Sequence, residues 1–385
     1  MVAATECARH SRHTSYLRRA LVVAVFVVVA GTAAVAADGA SLTKSGGLYL
    51  PVRSSAPRVS PEEPVAIAAL SDGGLAIADD ARNEILERAP SGSYAVIAGT
   101  GSAGLTGDGG PAVRAEVNQP SSLLATSSGA VYFVQRGLER SKSVSLVGSI
   151  SSVIREVAPS GSIRTLAGLH PACPSRRGAG SIPAESALMY SPELSIGPGG
   201  VIEVSTTVCP AISLLGPYVE LTSAGGLTDN APDRVAAASV NCSDVTVGAG
   251  FLAFVCDSGG GAVGEGHPKE LLVVRANGST KAYPAWRGGL LAAGHGEVIA
   301  AHNDSLVRVT SQAITTLVSD HQLDSLVSDA SGVAEINGIT ISHRGDIFMT
   351  ADLYRHGGGC GAVIVERAAS GTLEKLWSAA SRLCY

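Results

Sequence analysis

The residues best placed to do chemistry are histidines and aspartates at turn positions. His302 runs into Asn303-Asp304, and Asp79, Asp257 and Asp352 each close an apolar run. Imidazoles and carboxylates hold zinc or calcium and move protons. His170, His267, His321 and His356 fall in similar connections. If strand direction alternates, connections after a second and a fourth strand share one face, and these histidines fall there with His302. A metal at that face, calcium or zinc, would draw on His302, Asp304 and His356. Yet no His-x-x-x-His or His-Glu pair stands at ligand spacing on one element. Aspartates that end strands also have a structural use, accepting amide bonds in the following turn. Local bonding is therefore the preferred reading of both sets, and no resident cofactor is assigned.

Other candidates are weaker. Gly107-Asp108-Gly109-Gly110-Pro111 lacks the Lys-Ser/Thr of a phosphate loop and the alternating carboxylates of an EF-hand loop. It reads as a structural connection, with Asp108 bonding turn amides and Pro111-Ala112-x-x-Ala115 packing a short turn. No Gly-x-Ser-x-Gly elbow supports a serine nucleophile. Tyr132, Tyr218, Trp286 and Trp377 read as core or edge fillers. Asn277-Gly-Ser and Asn303-Asp-Ser fit a glycosylation sequon, relevant only in a host that glycosylates.

The elements that must position these residues are short strands. Apolar runs of four to six residues are bounded by Gly, Asp, Asn and Ser, a strand signal. Val65–Leu70, Leu75–Asp79, Glu84–Ala89 and Tyr94–Ala98 form the first set. One turn recurs before a set's last strand: Ala89-Pro-Ser-Gly92, Ala158-Pro-Ser-Gly161, Ala276-Asn-Gly278 and Ala369-Ser-Gly371. The long gaps admit weaker turns at Gly216-Pro217 and Ser311-Gln312, which makes six. Inner strands are expected near Val65, Ser121, Pro192, Ser243, Gly289 and Asn337. A four-stranded sheet keeps its faces dry only against a neighbour, and radial repetition supplies one. The expected fold is all-β, a six-bladed β-propeller of four-stranded antiparallel blades over residues 61–385.

The linking segment repeats as well. Pro183-Ala184-Glu-Ser-Ala187 echoes Pro111-Ala112-x-x-Ala115, and Asp229, Pro232, Ala236 and Asn241 form a third, fainter copy. Ala98-Gly99-Thr100-Gly101, Gly107–Ala112, Ala115, Pro120 and the Gly129-Ala-Val-Tyr-Phe-Val strand resemble the NHL-repeat family of β-propellers. So does Leu75-Ala-Ile-Ala-Asp79 with Asn83-Glu-Ile85. The motif match covers residues 64–192, and beyond it only the layout matches. The resemblance implies a loop face or groove that meets a protein, peptide or glycan.

The remaining features set the compartment. Arg9, Arg12, Arg18 and Arg19 precede the apolar run Leu21–Ala30, and Ala34-Val35-Ala36 follows as a cleavage signal. Residues 1–37 read as an export signal peptide, with an uncleaved anchor as the alternative. Residues 38–60 read as a linker, in which Gly47–Val52 can join a sheet edge. Loss of residues 1–37 moves the formal charge from −5 to −8, because four Arg and one Glu depart. Without a basic patch, nucleic acid is excluded as a partner, and a membrane enters only if the anchor is retained. Six cysteines remain after Cys7 leaves, an even number that suits disulfides outside the cytoplasm. The topology pairs Cys242 with Cys256 and Cys360 with Cys384, leaving Cys173 and Cys209. The location expected is secreted or cell-surface, in a bacterial envelope.

The function expected is a non-catalytic binding or scaffold domain for an extracellular protein, peptide or glycan. The alternative is a metal-dependent propeller hydrolase or lyase with its site at the axial face. Sugar-lactone hydrolases and amidating lyases hold metals at such a face, but that likeness is one of architecture only.

Overall fold

The structure is a computed structural model. It describes residues 59–140, 150–168, 181–183, 189–196, 200–208, 218–221, 226–228, 242–248, 250–257, 269–288, 291–294, 297–327, 332–355 and 359–380. All of them lie in one compact unit, Ser41–Tyr385. The leader, His170, His267, His356, Cys173, Cys209 and Cys384 fall outside the described residues. No described helix is long and apolar enough to cross a membrane.

Among the described residues the strands form six antiparallel sheets. The first holds β1 (Pro64–Ala69), β2 (Leu75–Asp79), β3 (Glu84–Arg88) and β4 (Tyr94–Ala98). The second holds β5 (Pro120–Ala125), β6 (Val131–Arg140), β7 (Ile150–Val157) and β8 (Ile163–Ala167). The third has five strands: β9 (Ser181–Pro183), β10 (Met189–Ile196), β11 (Ile202–Val208), β12 (Tyr218–Leu221) and β13 (Gly226–Thr228). The fourth runs β14 (Cys242–Gly248), β15 (Phe251–Asp257), β16 (Lys269–Arg275) and β17 (Thr280–Trp286). The fifth is β18 (Leu291–Gly294), β19 (Glu297–His302), β20 (Ser305–Val309) and β21 (Ile314–Val318). The sixth is β22 (Gly332–Ile341), β23 (Ile347–Arg355), β24 (Gly359–Arg367) and β25 (Leu373–Ala380).

The strands β1, β5, β10, β14, β18 and β22 are the inner ones. Each lies against the next, and β22 returns to β1. Burial follows this order. All five residues of β2 are buried, whereas β17, an outer strand, is mostly exposed. Small side chains permit the crowding. A Cβ added at Gly338 on β22 would stand 3.0 Å from the Ala66 Cα on β1. The core is a series of layers between sheets. Ala66, Ala76, Ile85, Leu123, Phe133 and Ile163 share the layer between the first two. Ala112 and Ala115 of the repeated segment lie in that same layer, which explains their recurrence.

Three features depart from the sequence reading. The Gly216-Pro217 turn was expected before the third sheet's last strand, but it precedes β12, the third strand in the order; those two residues lie outside the described set. That sheet also gains β9 on its outer edge, drawn from the repeated segment itself. Finally, the connection from β21 to β22 holds a short helix, α1 (Asp320–Leu326). Ser319 and Gln322 close a capping box at its start, and Leu323 is buried beneath it.

Candidate functional site

Five of the six inner strands carry a register shift near the end where they begin. It falls at Pro64/Ala66, Ser121/Leu123, Tyr190/Glu193, Cys242/Asp244 and, twice, at Val333/Glu335 and Ile336/Gly338. A bulge bends its strand and re-aims side chains, and bulges concentrate beside functional sites. Polar residues stand at these irregularities. Ser122 adopts a φ of 32°, a sparsely populated region for a residue with a Cβ. Its Oγ accepts the Leu194 N–H of the neighbouring sheet at 3.0 Å, and its hydroxyl donates to the Glu193 carboxyl. Glu193 as a whole residue is half-buried, but its carboxyl is enclosed by protein. Burial pushes that carboxyl up to about 7, with the Ser122 hydrogen bond pulling the other way. In the sixth sheet, burial also raises Asp352, which Asn337 hydrogen-bonds.

The predicted metal ligands behave differently. Asn303 and Asp304 take φ of 48° and 57°, the paired left-handed conformation of a two-residue hairpin turn between β19 and β20. His302 stacks on Trp286 with ring centroids 4.1 Å apart. Its Nδ1 accepts the Arg287 N–H at 3.4 Å, and its Nε2 lies 3.1 Å from Asn303 Nδ2. Burial lowers this imidazole from its ordinary value. Asp304 is raised, first by burial and then by Asp320 and Asp324. Both His302 nitrogens thus face the protein's own amides. Among the described residues no three His, Cys, Asp or Glu side chains are grouped to hold an ion. His356, the third candidate ligand, lies outside the described residues. His321 sits on α1, in a connection of the expected kind.

Asp79 and Asp108 have structural partners, whereas the side chains of Asp257 and Tyr218 lie outside what the structure describes. Asp79 is fully buried and accepts the N–H groups of Glu62 at 2.6 Å and of Glu63 and Arg82 at 3.2 Å. This is the amide-accepting role expected of a strand-ending aspartate. Asp108 accepts the Thr165 N–H at 2.9 Å and pairs with the Arg155 guanidinium at 2.6 Å. The segment around it lies along the outer edge of the second sheet. Gly109 N–H donates to Ile163 O, Ile163 N–H to Gly110 O, and Ala112 N–H to Gly161 O. Trp286 is buried, and Trp377 packs between the sixth and first sheets. Cys242 stands opposite Cys256 in the β14–β15 register, and Cys256 and Cys360 are each disulfide-bonded.

Sequence reasoning passed over Ser122, Glu193 and Arg155. No sequence signal singles out Glu193, since the inner strands β14 and β22 also carry carboxylates, Asp244 and Glu335.

No family model matches the chain, and no curated protein matches it. Solved structures do. A streptogramin B lyase aligns with a TM-score of 0.43 at 14% identity, covering 85% of each chain. A PQQ-bound aldose sugar dehydrogenase from Streptomyces coelicolor aligns with a TM-score of 0.45 at 12% identity, over 80% of this chain and 94% of that one. The tricorn protease aligns with a TM-score of 0.51 at 10% identity, over 83% of this chain but only 26% of its own length. At such identities the likeness is one of fold. The architecture is propeller-like, and the NHL resemblance remains that of the residues quoted above.

Proposed function

We propose that the six sheets are the blades of a closed β-propeller, with NHL-like linking segments, and that the chain is an exported binding domain. Its ligand, an extracellular protein, peptide or glycan, meets the axial end where the inner strands begin. The observation that carries this reading is the run of inner-strand bulges at that end, with Ser122, Glu193, Asn337 and Asp352 beside them. Cyclic contact of the inner strands supports closure. The test is capture on the immobilised chain from extracellular extract and glycan or peptide arrays. Capture lost in the Asn337→Ala variant supports the axial end. No capture at all, together with metal-dependent turnover, overturns the reading.

The second reading is a propeller hydrolase or lyase. The Glu193 carboxyl, pushed up to about 7 by burial, favours it, because an acid poised near neutrality suits proton transfer; burial raises Asp352 as well. Elemental analysis, with a thermal shift on added calcium or zinc, separates the two readings.

A further inference from the structure

Adjacent inner strands meet through side-chain hydroxyls at two places. Between the first and sixth sheets the Ala69 N–H donates to Thr340 Oγ1 at 3.1 Å. Between the second and third the Leu194 N–H donates to Ser122 Oγ at 3.0 Å. The two joints differ in one respect. Thr340 is neutral at every pH, whereas the Ser122 hydroxyl donates a hydrogen bond to an ionisable group, Glu193.

The surroundings of Glu193 are defined by the strands against β10. β5 and β18 bring no charged residue. On β11, register places Glu203 on the same sheet face as Glu193, where its Oε2 accepts the Ser195 hydroxyl at 3.2 Å. β14 carries Asp244. β6 carries Arg136, Glu139 and Arg140, of which Arg136 donates to Gln119. β7 carries Arg155 and Glu156, held by Asp108 and Arg164 respectively. The cations whose pairing is defined are thus directed to partners other than Glu193.

We infer that Glu193 and Ser122 form a proton-switched joint between the second and third sheets. The protonated carboxyl leaves the two inner strands pinned through Ser122. An ionised carboxyl in this enclosure must recover water, and the joint loosens to admit it. Ser122 is a positioning residue here: it holds the Leu194 amide and the carboxyl at once. Burial, which pushes the Glu193 carboxyl up to about 7, agrees with this arrangement. The inference concerns the chain alone and does not depend on the ligand proposed above.

The experiment is amide exchange on the full chain at pH 6 and pH 8.5, corrected for intrinsic exchange. Leu194 protection should fall at least tenfold between the two in the wild type, while the buried β2 strand holds constant. Glu193→Gln should keep Leu194 protected at both pH values. Equal loss in Glu193→Gln, or no loss in the wild type, overturns the proposal. Infrared titration of the wild-type carboxyl gives a second reading independent of variants. A protonated band that disappears near pH 7 supports the joint, and carboxyl bands that all disappear in the ordinary glutamate range refute it. Ser122→Ala should move that midpoint upward, since it removes the donor that favours the ionised form.

Discussion

Arg155 and Asp108 lie 47 residues apart and form an ion pair of 2.6 Å, with the arginine side chain wholly shielded from water. The same guanidinium donates to Glu116 O at 2.7 Å and Thr106 O at 3.3 Å. It therefore fastens the linking segment to the second sheet. Asp108→Ala should destabilise the chain by about 2 kcal/mol, less than for a fully buried pair because Asp108 is partly exposed. Arg155→Ala should cost more, since the bonds to Asp108, Glu116, Thr106 and Gln135 and a filled volume are lost together. Urea denaturation of both variants checks the order.

Two glycines of that segment have opposite surroundings. Gly107 has φ +101°, and a Cβ there would stand 2.6 Å from the Ala115 Cα. Gly109 has φ +81° with no atom within 4 Å. Gly109→Ala should cost only the left-handed conformation, about 1 kcal/mol. Gly107→Ala adds a clash with backbone and should cost roughly 3 kcal/mol. Equal losses in thermal melts would contradict this account of the turn.

Stability should fall as pH rises from 5 to 8. Glu193 has a folded value near 7, above that of an unfolded glutamate. Between those values the folded chain binds more protons than the unfolded one. Its contribution is complete below the unfolded value and is lost as pH rises through 7. Melting temperature against pH should therefore slope downward in the wild type and flatten in Glu193→Gln.

Non-reducing peptide mapping should recover a Cys242–Cys256 crosslink, because the two residues face each other across β14 and β15. Replacing both with serine should cost roughly 3 kcal/mol, as for other short closed loops. A Cys242–Cys360 crosslink would contradict the strand order.

His302→Ala should leave metal content unchanged, since its nitrogens face Arg287 and Asn303. It should lower the melting temperature slightly through loss of the Trp286 stack. Elemental analysis of both forms checks the first point.

Local features were legible in the sequence. Leu75–Asp79 forms the expected strand because an apolar run between two turns has one way to stay dry. The turns at Gly92, Gly161, Gly278 and Gly371 fall between third and fourth strands, each with the positive φ that favours glycine. What was missed depends on distant partners. Ile-Arg155-Glu-Val looks like a strand with an exposed arginine, and only the returning Asp108 reveals the burial. Glu193 looks ordinary until Ser122 arrives from another sheet. The helix α1 was missed although Ser319 and Gln322 have capping-box spacing, because seven residues give too little periodicity to notice.

Among the described residues every sheet is assembled from strands of one local stretch of chain, and the sixth takes none from the beginning. Where the last sheet meets the first, the described contacts are side-chain ones: Thr340 on Ala69, Trp377 on Ser60 at 3.0 Å, and Val59 in the apolar layer between them. The ring proposed above is, at this described joint, fastened like a clasped bracelet. Its clasp is the place where force applied to the two ends would part it first, and where a new unit can be spliced in without re-threading any other.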